Sequence, residues 1–280
     1  MVMSTRKDQL LPDASPVAGE NLDRSLPGPP VGVVWHDLEC GSYRADLPLW
    51  RELADVAGGP VLDVGAGTGR VTLHLGRAQA DRRVTALDLD PVLLGALRER
   101  AAGLDVETVC ADARSFTLAR RDFALCLVPM QTVQLLSGAA ERVSFLRCAF
   151  AHLRPGGLLA CAIVTELESF DLAAGSAGPS PETARVGDAL YISRATSVRV
   201  LPRHIAIERM RRIVASGIGQ SGERHPTGEA AGERNVVELA RVSASELEDE
   251  GSRAGLRPEL AREIAPTDEH VGSTVVMLRA

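Results

Sequence analysis

Three acidic residues and a run of glycines carry the strongest chemical signal in the chain. Val61-Leu-Asp-Val-Gly-Ala-Gly-Thr-Gly-Arg70 places Asp63 inside a short apolar run, directly before Gly65, Gly67 and Gly69. Glycines admit positive φ and let a ligand approach the backbone where a Cβ would exclude it. A helix that follows such a turn aims unpaired N–H groups and the positive end of its dipole at that ligand. Asp88 closes a second apolar run, Val-Thr-Ala-Leu-Asp88-Leu-Asp90-Pro, 25 residues beyond Asp63. A carboxylate there suits a pair of ribose hydroxyls, accepting two charge-assisted hydrogen bonds. Asp112, in Cys-Ala-Asp112-Ala113, follows a third apolar run. The pattern is that of a turn able to cradle a ligand against backbone N–H groups. No H-x-x-E, D-x-H or paired carboxylates with metal-ligand spacing accompany it, so no metal is expected.

Positioning these residues requires strands that end where the acidic residues stand. Val61–Val64 is long enough for a buried strand and too short for a helix. A helix is predicted around Arg70–Gln79, strands at Val84–Leu89 and Val106–Cys110, and a helix at Val92–Ala102 between them. Phe123–Val128 is a nearly continuous apolar strand. Glu141–Leu153 reads as a helix, Arg154-Pro-Gly-Gly157 as a turn, and Leu158–Val164 as a further buried strand. Strands alternating with helices mean a parallel sheet covered on both faces. Asp90 and Pro91 read as the N-cap and first position of a helix.

The stretch from Val61 to Arg70 resembles motif I of the class I S-adenosylmethionine-dependent methyltransferases, of the small-molecule type. Four further stretches fit that family: Asp88 with Leu89; Asp112 with Ala113; Leu127-Val-Pro-Met-Gln-Thr-Val-Gln134; and the Arg154–Gly157 turn. The resemblance covers about residues 61–164. It implies an α/β, doubly wound, Rossmann-like fold with a mostly parallel seven-stranded sheet and a small inserted antiparallel lid sheet. It implies S-adenosyl-L-methionine as cofactor and S-adenosyl-L-homocysteine as product. Asp63, Gly65, Ala66, Gly67 and Gly69 would face the methionine part of the cofactor, Asp88 the ribose, and Leu89, Asp112 and Ala113 the adenine. Val128 and Pro129 would pass beneath the transferable methyl. The fourth-strand motif is not the Asn/Asp-Pro-Pro-aromatic signature of enzymes acting on planar amino groups. The expected reaction is therefore methyl transfer to O, N or C of a small molecule, with a natural-product intermediate preferred. Two alternatives stand beside it: a protein of this fold that binds the cofactor without methyl transfer, and a nicotinamide dehydrogenase, which the G-x-G-x-G spacing disfavours.

Outside the core, residues 1–30 carry five prolines among polar residues and read as a disordered tail. Residues 31–57 hold both tryptophans and Tyr43, and read as a helical cap over the cofactor cleft. Residues 58–165 form the core and 166–242 an antiparallel lid with a Gly-rich mobile loop, the hairpin turning at Leu201-Pro-Arg203. Residues 243–280 supply the last helix, capped by Ser243 and Glu246, and two closing strands. An oxygen or protonated nitrogen acceptor needs a group to take its proton. His36 in the cap is the candidate base and Tyr43 a second candidate catalytic residue. Trp35, Met130, Gln131, Gln134 and His204 are candidate acceptor contacts.

The composition sets the partners. A net charge of −6 and 3% aromatics argue against nucleic acid. Five scattered cysteines without a C-x-x-C pair suit a reducing cytoplasm. No run approaches a membrane span of about 20 apolar residues, and no h-region follows Arg6 and Lys7. A small-molecule acceptor is the expected partner, with a homodimer left open.

Overall fold

A parallel sheet is read directly from the strands buried on both faces. The structure is a computed structural model describing residues 28–218, 224–226, 232–267 and 270–280. Two helices come first, α1 (Val31–Cys40) and α2 (Leu47–Ala57). Pro30 caps α1, Pro48 sits in the first turn of α2, and Gly58 at φ +54° stops it.

The core then alternates: β1 (Val61–Val64), α3 (Arg70–Ala78), β2 (Val84–Asp88), α4 (Pro91–Arg100), β3 (Val106–Cys110) and β4 (Phe123–Val128). A 3-10 turn (Thr132–Leu135), α5 (Ala139–His152) and β5 (Leu153–Ile163) complete it. Every residue of β1 and β4 is buried. Side-chain alternation splits the core between the two faces. Leu62 and Val64 pack with Phe145 and Leu146 on one face, and Val61 with Trp50, Val71 and Leu75 on the other.

After β5 come the lid strands β6 (Phe170–Asp171), β7 (Glu182–Val186), β8 (Ala189–Val200), β9 (His204–Ile218), β10 (Arg224–Pro226) and β11 (Glu233–Ala240). The chain closes with α6 (Ala244–Arg253), β12 (Arg257–Ile264) and β13 (Ser273–Arg279). Ser243 and Glu246 form the capping box at the start of α6. The main sheet has seven strands in the order β12-β13-β5-β4-β1-β2-β3. β1 pairs in parallel with β2 on one side and β4 on the other, and β13 alone in this sheet runs against the other strands, antiparallel to both β5 and β12. The order in which strands are added reverses between β1 and β4, so the crevice beyond their carboxyl ends is the topological switch point. The fold is the expected doubly wound sheet with a second, antiparallel one.

The lid is built on the β8–β9 hairpin, with β11 adding to β9 from Glu233↔Arg211 to Ala240↔His204. β6, β7 and β10 pair along β8 and β9, and none of the three was predicted from sequence. The N-terminal tail lies outside the described residues through residue 27. The Gly-rich loop does so at 219–223 and 227–231. Among the described residues no helix is long and apolar enough to cross a membrane, and no cluster of metal-ligating side chains occurs.

Candidate active site

Beyond the carboxyl ends of β1, β2 and β4 lies a cavity of about 590 Å³. Its floor is the glycine turn. Gly65 N–H donates to Leu87 O at 2.8 Å, tying the turn to β2, and Gly67 N–H donates to Asp88 Oδ2 at 2.8 Å. Both glycines have positive φ, +74° and +54°. A Cβ on Gly65 would lie 2.4 Å from Thr132 Cγ2, and one on Gly67 would lie 2.3 Å from His36 Nε2. The turn is therefore clamped between the loop after β4 and the imidazole of α1, and tolerates no side chain. Gly69 has another task. A Cβ there would meet Leu97 Cδ1 at 2.2 Å, so it serves the packing of α3 on α4 and not the cavity wall.

The three carboxylates converge as the strand ends dictate. Asp63, Asp88 and Asp112 all line the cavity, with Gly65, Ala66, Leu89, Ala113, Val128 and Pro129. Asp63 is 1% exposed; Oδ2 accepts from Thr72 at 2.6 Å, while Oδ1 is buried with no hydrogen-bond partner. Burial pushes its carboxyl up to about 6, against the pull of Thr72 and Arg70. Asp88 accepts Gly67 N–H on one oxygen and Asp90 N–H at 2.9 Å on the other, which leaves further lone pairs on each. Asp112 is gripped by the Arg114 side chain and backbone, which hold its carboxyl down to about 2. Leu89 is 68% exposed, an apolar side chain displayed at the cavity edge.

The cavity is also lined by His36 and Cys40 of α1, Met130 and Gln131 of the loop after β4, and Val237 and Leu239 of β11. Met130 has φ +55°, the one positive φ outside glycine among the described residues. Such a conformation costs about 1–3 kcal/mol and recurs at functional sites. Burial pushes the Cys40 thiol up to about 11, so it stays protonated. His36 Nδ1 lies 3.1 Å from Thr68 Oγ1, whose hydroxyl donates to Asp37 Oδ1 at 2.6 Å. Arg100 holds Asp37 from α4 in a bidentate pair at 3.0 and 2.6 Å. Burial of His36 lowers its pKa, with Asp37, Asp88 and Glu39 opposing and Arg100 adding to the drop.

Several sequence-predicted contacts are placed elsewhere. Gln134 is fully buried. Its amide donates to Val164 O and Ala240 O at 3.0 Å, and accepts from Val164 N at 2.8 Å. It joins β11 to the end of β5, with both of its N–H donors taken, and it does not line the cavity. Trp35 packs edge-on against Tyr191, 5.0 Å between centroids, with the Arg211 guanidinium over its ring, outside the cavity wall. Tyr43 is wedged between Arg70 and His270 and does not line the cavity either. His204 stands at the lid hairpin, 3.9 Å from Glu238, away from the cleft. Thr68, Asp37 and Arg100 were not anticipated. They lie on the turn, on α1 and on α4, and only the tertiary fold brings them together.

Residues 61–157 match the family model described as a methyltransferase domain. The chain is 34% identical over 148 residues to the ubiquinone biosynthesis O-methyltransferase of Methylobacterium sp. (strain 4-46), covering 51% of this chain and 56% of that one. It spans about half the length of the curated relatives it matches. In structure it resembles the sugar N-methyltransferase KedS8 from Streptoalloteichus sp. ATCC 53650, at a TM-score of 0.64 and 17% identity over 99% of each chain. It also resembles the amino pentose methyltransferase CalS10 from Micromonospora echinaspora, at 0.61 and 19%, over 88% of this chain and 97% of that one. Residues 61–157 thus match a methyltransferase domain, within a chain that shares its fold with these two structures.

Proposed function

We propose that the protein transfers the methyl group of S-adenosylmethionine to a nitrogen or oxygen atom of a small natural-product intermediate. The convergence of Asp63, Asp88 and Asp112 in one cavity over the glycine turn carries this reading. The residues fit the cofactor. The unpartnered Asp63 Oδ1 suits its ammonium group, the spare lone pairs of Asp88 its ribose diol, and Asp112 with the apolar Leu89 its adenine. When bound, the cofactor supplies a methyl group on sulfonium, electrophilic without further activation.

The chain's own work is then to orient the acceptor, keep water out and remove a proton. Met130, Val237 and Leu239 offer the acceptor an apolar wall. His36 supplies the base. The acceptor X–H proton passes to the imidazole, and the X–H electron pair stays on X as it takes the methyl. A base of this kind directs the reaction to an amine or hydroxyl, in keeping with relatives named for sugar nitrogen and for O-methylation.

The test incubates the protein and S-adenosylmethionine with amino sugars and hydroxylated aromatics, and measures S-adenosylhomocysteine released. His36→Ala should lower kcat about a hundredfold and leave cofactor affinity by calorimetry nearly unchanged. Failure of S-adenosylhomocysteine to bind would overturn the reading; full activity in His36→Ala would remove the base from it.

A further inference from the structure

The hydrogen-bond directions around His36 are fixed by valence. A carboxylate only accepts, so the single Thr68 hydroxyl proton must point at Asp37 Oδ1, 2.6 Å away. Thr68 Oγ1 can then only accept from His36 Nδ1 at 3.1 Å, which places the ring proton on Nδ1. Nε2 is left with a bare lone pair. It makes no hydrogen bond among the described residues, and its edge of the ring lies over Gly67 at the cavity. Asp37 is fixed in turn by both nitrogens of Arg100.

We propose that Arg100, Asp37 and Thr68 form a relay that selects the Nδ1–H tautomer of His36 and holds Nε2 as the proton-accepting atom of the site. The inference rests on His36 being the base. The three are positioning residues, since none of them lines the cavity. The alternative neutral tautomer would put a proton on Nε2 and face a donor at the acceptor, useless as a base. The relay also provides for the product of proton transfer. When Nε2 takes the acceptor proton, the Nε2–H bond forms and X–H breaks, and the ring becomes an imidazolium whose Nδ1–H still donates to Thr68. The charged groups facing that cation are Asp37 and Glu39 from its own helix, Asp88 from the end of β2, and Arg100 from α4. Three carboxylates against one guanidinium favour it. An Asp that fixes tautomer and orientation of a catalytic imidazole does the same work in hydrolase triads; here a threonine on the glycine turn is interposed, so the base is registered against the cofactor cradle itself.

The test reads the imidazole directly, whatever the acceptor. Full-length protein with 15N-labelled histidine is titrated by NMR, and His36→Gln identifies the His36 signals. The wild type should show protonated Nδ1 and bare Nε2 above the His36 pKa. Thr68→Val should let the tautomer revert toward Nε2–H, and Thr68→Ser should restore it. Asp37→Asn, should Thr68→Val not fold, removes a carboxylate and unpairs Arg100. Both changes lower the His36 pKa, so its titration should move to lower pH. Nε2–H in the wild type, an unchanged tautomer in Thr68→Val, or a His36 titration unmoved in Asp37→Asn would each overturn the relay. Failure of the base itself shows separately, as full turnover in His36→Ala with the tautomer as stated.

Discussion

Asp63 offers the sharpest test, because the same carboxylate should weaken the empty fold and strengthen the loaded one. Its folded pKa is raised from 3.8 to about 6 by burial. A raised acid pKa means that the folded state holds the proton more tightly than the unfolded chain. This group's contribution is therefore most favourable below 3.8 and is lost as pH rises through 6. Two pKa units correspond to roughly 3 kcal/mol against the apo fold at neutral pH. Asp63→Asn removes that charge. It introduces an amide N–H beside the place of the unpartnered Oδ1, at a cost of about 1–2 kcal/mol. The net gain of about 1–2 kcal/mol should raise the apo Tm at pH 7.5 by roughly 2–8 °C for a domain of this size. At pH 5 the difference should shrink or reverse, since the wild-type carboxyl is then largely protonated. Binding moves the other way. Loss of a charge-assisted contact to the ligand ammonium costs about 1.5–3 kcal/mol, or roughly ten- to a hundredfold in S-adenosylhomocysteine affinity. Scanning calorimetry at the two pH values and isothermal titration with S-adenosylhomocysteine give both numbers. An apo Asp63→Asn protein less stable than wild type at pH 7.5, or one that binds S-adenosylhomocysteine undiminished, would refute the reasoning.

Asp88→Ala should weaken S-adenosylhomocysteine binding by roughly ten- to a hundredfold in calorimetry. It should also lower the apo Tm, because the same carboxylate accepts the Gly67 and Asp90 amides. Gly67→Ala should displace the cap, since its Cβ meets the His36 ring and its φ is +54°. The readout is faster hydrogen exchange across α1. Glu250→Ala strands Arg142, whose guanidinium is 8% exposed, and should cost about 3–5 kcal/mol in denaturant unfolding.

The core was legible because its signals are local. Val61–Val64 and Phe123–Val128 must be strands buried on both faces, while Asp63 lies within β1, Asp88 ends β2 and Asp112 follows β3. The lid was only half legible. The β8–β9 hairpin shows its alternation, but Glu182–Val186 is polar enough to pass as loop and becomes a strand only by pairing with β8. Gln134 illustrates the limit for sites. Its position after a motif-bearing strand suggests contact with an acceptor, and nothing in the sequence shows that Val164 and Ala240 take both of its N–H donors. The His36 relay was hidden for the same reason, with His36 and Asp37 lying 32 and 31 residues from Thr68 and Asp37 lying 63 from Arg100.

The cap has a consequence for how the chain is made. Glu39 bonds Ser193 and Arg211, 154 and 172 residues further on, and Glu52 pairs with Arg262 after 210. Helices α1 and α2 leave the ribosome before any of these partners has been synthesised. The core strands β1 to β4 meet over much shorter separations and can close while the lid is still being added. The first described segment to emerge thus finds its partners in two stages, first Thr68 and Arg100 of the core and later the lid and β12. Helix α1 can lay its imidazole on the glycine turn once α4 has emerged, and the ties of Glu39 to the lid and of Glu52 to β12 then close over a site already assembled.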